Sequence, residues 1–428
     1  METSMDKSLI VIGAGPAGIE ASLTAARCGA RVTLIHEGPL GGRSTHGSLL
    51  PSKVWLAAAR PGATPAKILE RLGKVKSAWV ATQQRLLTGA GVECVQGRAR
   101  ITGAGVVEID GQSDSLQADA VILASGSEPT FPPALKPDGK RVIAPRLLAK
   151  LDWLPPRVVV IGGGPTGCEA VHLFNALGAA VTWLPGRPGA LAGFARPAVQ
   201  ILCASFAQRG VEILADADAV DIERGEDQAC VVTDTDSRIE AELVFVATGR
   251  RADLDGQGLD SLGLDLPPAT DTFGYAAQNL YLVGDAAGGP FLANRALAQA
   301  RIATRHALDL PCAGYTAEAV VQAVYSQPEV AQVGCVEGDG IRGLELPLDT
   351  ALKAYLRSPD GRFSLSWDAE QRITGGWVVG VHAADALAPV AAAIAAQATL
   401  QQLAASWPAN PTLGELAPMV ARLAVDAG

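Results

Sequence analysis

Cysteine is missing from the places where its chemistry would count. The 428-residue chain has seven, Cys28, Cys94, Cys168, Cys203, Cys230, Cys312 and Cys335, and none falls in a CxxC or CxxxxC spacing. Neither a metal cage nor a local redox pair is therefore encoded, and scattered, reduced core thiols are expected, with pairing of distant cysteines left open. Basic charge is also short. A formal net charge of -9 offers no basic stripe to neutralise a phosphate backbone, which excludes nucleic acid as the natural partner. Long hydrophobic runs are absent too. The alanine-rich stretch 388–407 is interrupted by Gln397, Gln401 and Gln402, so it reads as a packed or interface helix, with no membrane insertion expected. The opening METSMDK runs directly into apolar residues 9–12, leaving no room for the three regions of a secretory leader. A cytoplasmic location is the expectation.

What is present is a repeated design. Residues 8–36 read as strand, glycine turn, alanine-rich helix and second strand, and residues 157–184 repeat that βαβ pattern. Each copy is followed by a short apolar strand ending in small residues, AVILASGSEP at 120–129 and LVFVATGRR at 243–251. A further strand and glycine turn, LYLVGDAAGGP at 280–290, leads into a helix expected over about 292–308, as if the first unit resumes after the second. From residue 311 the pattern changes to alternating segments such as FSLSW and GGWVVGVH, which suggests an α+β unit. The length suits several cores, because single cores stop growing well below it. The reading is an α/β protein with two Rossmann-like dinucleotide-binding domains, the second inserted in the first, and a C-terminal α+β domain. Boundaries are expected at 1–150 and 254–310 for the first domain, 151–253 for the second and 311–428 for the third.

Each βαβ copy carries a GxGxxG fingerprint. In Gly13-Ala14-Gly15-Pro16-Ala17-Gly18 the first glycine serves the tight turn, the second the approach of backbone N–H groups to a pyrophosphate, and the third the packing of helix on strand. The acid expected to bind the adenosine ribose at the end of the second strand is replaced by His36, with Glu37 beside it, and one of the two is expected at the ribose. Gly162, Gly164 and Gly167 form the second fingerprint. Here Pro185 occupies the ribose position and Arg187 follows. Arg187 reads either as a cation for a 2′-phosphate, with no acid to repel it, or as a solvated arginine; the first reading leans towards NADPH.

Taken in order, Gly13–Gly18, GPLGG at 38–42, PSK at 51–53, SGSEP at 125–129, the second fingerprint, ATGRR at 247–251, GDAAGGP at 284–290, QPEVAQVG at 327–334 and NPTLGE at 410–415 resemble the flavoprotein disulfide reductases, the pyridine-nucleotide disulfide oxidoreductase family that includes dihydrolipoamide dehydrogenase and mercuric reductase. The resemblance implies FAD in the first domain, NADP or NAD in the second, and a C-terminal dimerisation domain that makes the protein a homodimer. It further implies contacts to the cofactors from Gly42, Arg43, Ser125, Gly126, Gly249, Gly284, Asp285, Leu292 and Ala293. Lys53 is implied beside the flavin, paired with Glu169, where a cation stabilises anionic reduced flavin.

The departures set the functional expectation. Family members carry CxxxxC just before PSK, whereas GGRSTHGSLLPSK has Ser44 and Leu49 there, so a disulfide relay in this loop is chemically impossible. The family's His-Pro…Glu acid-base pair appears as Asn410-Pro411 with Glu415, and an amide cannot shuttle protons at neutral pH. An NAD(P)H-dependent flavoprotein reductase that serves a small non-disulfide acceptor, such as a quinone, is expected. His46 is a candidate proton donor, Arg43 a candidate substrate-orienting group and Ser44 marks the vacated position; His46 and Arg43 read equally as loop residues facing solvent. A non-catalytic or electron-transfer flavoprotein subunit acting with a protein partner is the alternative.

Overall fold

The computed structural model describes residues 7–427, so Met1–Asp6 of the opening segment, and Gly428, lie outside the described residues. Three sheets organise the chain. The first is built on β1 (Ser8–Ile12), α1 (Pro16–Arg27) and β2 (Arg31–His36), followed by α2 (Gly42–His46), α3 (Leu49–Ala58), α4 (Pro65–Gly89) and β3 (Glu93–Gln96). Its six strands run in the order Tyr275–Ala277, Leu280–Leu282, Ala120–Leu123, β1, β2, β3. All adjacent pairs are parallel except the first, an antiparallel edge. Parallel strands covered on both faces need near-continuous apolar sequence, and β1 and Ala120–Leu123 supply it, buried along almost their whole length. The strand and helix that follow the second βαβ unit do return to this sheet: Leu280–Leu282 pairs with Ala120–Leu123, and the helix Ala293–Ala307 packs on α1.

The second sheet is wholly parallel, in the order Glu212–Ile213, Ala180–Leu184, Arg157–Ile161, Leu243–Val246, Val142–Ile143. Its helix α5 (Pro165–Ala176) covers one face through Cys168, Val171 and Phe174, all fully buried. The third sheet, antiparallel throughout, orders its strands Gln322–Val324, Glu329–Gly334, Ile373–Gly380, Arg362–Trp367, Arg342–Pro347. A separate core of Phe363, Leu365, Val390, Leu416 and Val420 lies under it.

One expected element is divided. The stretch 388–407 forms two helices, Ala388–Ala395 and Leu400–Ala404. Gln397 takes a left-handed φ of +51°, and Thr399 starts the second helix with a capping box, its side chain accepting the Gln402 N–H, which outweighs the helix propensity of the surrounding alanines. No helix among the described residues is long and apolar enough to cross a membrane.

Candidate active site

At the end of β1 the chain has to turn sharply into α1. Gly13 makes the turn at φ +105°, where a Cβ would stand 2.4 Å from the Ala124 carbonyl oxygen. A Cβ on Gly18 would stand 1.7 Å from the Gly13 carbonyl oxygen, so only glycine lets α1 lie this close to the turn. Gly15 is different: nothing lies within 4 Å of a Cβ there. The N-terminal N–H groups of α1, with Pro16 at the first helical position, thus border open space suited to an anion. The second unit repeats each distance: 2.3 Å to Ala247 O for Gly162, 1.9 Å to Gly162 O for Gly167, and open space at Gly164.

Both turns open onto one cleft of about 2740 Å³, well beyond the ~300–1,000 Å³ of an ordinary small-molecule site. Besides the turn residues, its walls include His36, Glu37, Gly42, Ser125, Gly126, Gly249, Asp285, Leu292 and Ala293. Ser125 Oγ is buried in the wall without a hydrogen-bond partner. Two glycine cradles at helix N-termini and an unpartnered hydroxyl in the same cleft fit two dinucleotides.

Lys53, carried by α3, lines the same cleft. Its Nζ lies 2.6 Å from Glu169 Oε1 of α5. The Tyr325 backbone N–H donates to the same oxygen at 3.1 Å, and the Tyr325 ring lies 4.3 Å from the ammonium. Three distant segments therefore hold one cation, and the partial burial of the pair (side chains 30% and 11% exposed) weakens water's screening of it.

A second polar knot forms where the strands Ser127–Pro129 and Arg250–Ala252 pair. Ser127 Oγ donates to Asp285 and accepts from Arg250 Nε at 2.9 Å. The Ser127 carbonyl accepts from Arg250 at 2.9 Å and from Arg43 at 3.0 Å. Burial pulls the Arg250 guanidinium below its ordinary pKa, and Asp285 opposes that shift. The motifs SGSEP and ATGRR contain Ser127 and Arg250, yet their pairing required the fold. No sequence signal singled out Tyr325 or Asp253.

Several expected roles change. Arg43 does line the cleft, but its guanidinium pairs with Asp253 and binds the Ser127 carbonyl, so it anchors its loop and is not free to orient a substrate. Ser44 Oγ donates to Gly41 O at 3.0 Å, closing the turn. His46 Nε2 lies 2.8 Å from Leu40 O, which leaves only Nδ1 for proton transfer in the neutral ring. His36 is likewise tied down, Nδ1 standing 2.6 Å from Gly38 O, while Glu37 is exposed. Gly284 supports the cleft from behind: its N–H donates to Gln299 Oε1 at 3.0 Å, and a Cβ would lie 3.0 Å from that of Ala296 and 3.1 Å from that of Ala17. Glu415 is outside the cleft of its own chain and accepts from Asn410 Nδ2 at 2.5 Å and the Thr412 N–H at 2.9 Å. The expectation that no acid stands near Arg187 is overturned: Asp218 and Asp234 both pair with it. Among the described residues no His, Cys, Asp and Glu cluster could hold a metal.

Residues 7–300 match the family model described as pyridine nucleotide-disulphide oxidoreductase, and residues 320–420 match that family's dimerisation domain. The chain is 30% identical to a dihydrolipoyl dehydrogenase of Geobacillus stearothermophilus over 99% of its own length and 97% of that protein's. It is 28% identical to an NAD(P)H dehydrogenase (quinone) of Mycobacterium tuberculosis, covering 95% and 91% of the two chains. Among solved structures, LpdA of Mycobacterium tuberculosis superposes with a TM-score of 0.92 at 27% identity, over 98% of this chain and 99% of that one.

Proposed function

Since the chain belongs to the pyridine nucleotide-disulphide oxidoreductase family, FAD-dependent enzymes that use NAD(P), we propose that its electron acceptor is not a disulfide but a small oxidant such as a quinone. The observation that carries this reading is the loop before Lys53. It has no cysteine, and none stands between Cys28 and Cys94; the Ser44 hydroxyl closes a turn, and Leu49 presents an apolar side chain 41% exposed. FAD, when bound, supplies the two-electron relay between NAD(P)H and the acceptor.

The chain's own residues then have distinct tasks. Glu169 holds Lys53, whose ammonium would stabilise anionic reduced flavin, and the Tyr325 ring lies against that ammonium. Asp285, Ser127 and Arg250 set the cleft wall between the two glycine turns. His46 is the candidate proton donor only once Nδ1, a lone-pair site while Nε2–H donates to Leu40 O, has itself taken up a proton, and Arg43 pins its loop through Asp253. The domain division at residues 150, 253 and 310 belongs to the same proposal, as does a homodimer formed through the matched dimerisation segment, where Tyr355, Leu356 and Trp407 are exposed by 65%, 66% and 79%.

The test is anaerobic reduction of the purified flavoprotein by NADH or NADPH, followed by reoxidation. Bleaching of the flavin band, then rapid recovery with a benzoquinone and none with lipoamide or glutathione disulfide, is the expected result. Turnover of either disulfide would refute the acceptor assignment.

A further inference from the structure

The second glycine turn ends in an arrangement that the strand sequence alone did not disclose. Ala180–Leu184 delivers Pro185 to the cleft, and no carboxylate comes from that strand. One arrives from its neighbour. Asp218 follows Glu212–Ile213, which pairs with Ala180–Leu184, and it lines the cleft beside Pro185 and Gly186. Its Oδ1 accepts the Arg187 N–H at 3.0 Å, its Oδ2 lies 2.6 Å from the Arg187 guanidinium, and a Cβ on Gly186 would come within 3.2 Å of Oδ1. Asp234 takes another edge of the guanidinium and accepts the Asp218 N–H at 3.0 Å. Arg187 itself does not line the cleft.

We propose that Asp218, seated by Arg187 and Asp234, binds the adenosine ribose of the nicotinamide dinucleotide and makes NADH the preferred reductant over NADPH. Two carboxylates against one guanidinium leave the cluster net negative. A ribose 2′-hydroxyl meeting it finds an acceptor, because an ionised carboxylate has about four lone-pair sites and Arg187 engages only part of them. A 2′-phosphate meets like charge, and the guanidinium that would receive it is already forked between two acids. Arg187 thus positions the carboxylate and does not read a phosphate. The proposal rests on the second glycine turn being the nicotinamide-dinucleotide site and is independent of the acceptor.

The measurement is calorimetric titration of the oxidised holoprotein with ADP-ribose and with 2′-phospho-ADP-ribose, alongside anaerobic flavin reduction by NADH and NADPH. Wild type binds ADP-ribose at least about tenfold tighter, as expected when a polar group must lose its partner to accept the other ligand. Asp218→Asn narrows that ratio through weaker ADP-ribose binding, and a double change with Asp234→Asn frees Arg187 and brings the phosphorylated ligand to equal or tighter binding. The wild-type preference shrinks as salt rises if charge sets it. Equal or tighter binding of the phosphorylated ligand by wild type would overturn the proposal, and so would an unchanged ratio in an Asp218→Asn protein that melts like wild type. A disulfide-reducing enzyme that keeps the ADP-ribose preference would refute the acceptor reading alone.

Discussion

The two βαβ units share a turn and differ at its exits. Counted from the first glycine of each, Gly13 matches Gly162, Glu20 matches Glu169, Leu23 matches His172 and His36 matches Pro185. The steric demands of the glycines agree to within a few tenths of an ångström, because both turns face the same problem of passing from a buried strand to a buried helix. The matched side chains have separate fates. Glu20 accepts only a hydrogen bond from Thr24 Oγ1 at 3.3 Å, whereas Glu169 binds Lys53 and the Tyr325 N–H. The second unit is therefore the one joined to Lys53 and Tyr325, and the difference lies in what packs against each helix.

The largest effect expected separates the glycines by role. Gly18→Val would abolish FAD retention, because any Cβ collides with the Gly13 carbonyl, while Gly167→Val would leave the flavin spectrum but abolish its reduction by NAD(P)H. Gly15→Ala and Gly164→Ala, which meet nothing within 4 Å, would melt near the wild-type temperature and lose ligand affinity by about tenfold or more, as backbone approach to the phosphates is blocked. If both members of each pair behaved alike in melting and in flavin content, the two roles would not be separate.

A smaller effect tests the asymmetry of the glutamates. Glu169→Gln keeps a hydrogen bond to Lys53 but removes its countercharge, and it should slow flavin reduction in stopped flow by about ten- to a hundredfold, a loss of about 1.4–2.8 kcal/mol in transition-state stabilisation. Glu20→Gln should change that rate by less than about twofold. Equal losses would place the two acids in one functional class.

The smallest effect concerns pH. His172 is 9% exposed, and burial lowers its pKa from 6.5 to about 4, with Arg209 adding to the shift. The unfolded chain takes up this proton first as pH falls, so the stability contributed by neutral His172 is complete above pH 6.5 and is lost progressively down to about 4. The loss at pH 6 is about 1 kcal/mol. His172→Gln should flatten this acid limb in thermal melts of the holoprotein, and an unchanged limb would show that other groups set it.

The repeated glycine turns were readable in advance because each solves a local problem between residues adjacent in sequence. The buried strands were readable for the same reason, since burial on both faces leaves an apolar run. The site was legible less evenly. Lys53 and Glu169 could be named through their motifs, but Tyr325, which completes their pairing, belongs to a segment far along the chain with no periodic or compositional mark. The expectations for Arg43, His46 and Arg187 treated each as a free side chain. Each instead meets a partner: Arg43 and Arg187 across the fold, at Asp253 and at the pair Asp218 and Asp234, and His46 within its own loop, at the Leu40 carbonyl.

The sequence by itself determined two glycine turns suited to nucleotides, the absence of cysteine before Lys53 and an amide at Asn410, because composition and local sterics need no partner to be true. Only the tertiary structure decided which charges are free and which are already engaged. Pairing of that kind depends on strands far apart in the chain lying side by side, as Glu212–Ile213 lies against Ala180–Leu184 to bring Asp218 beneath Arg187.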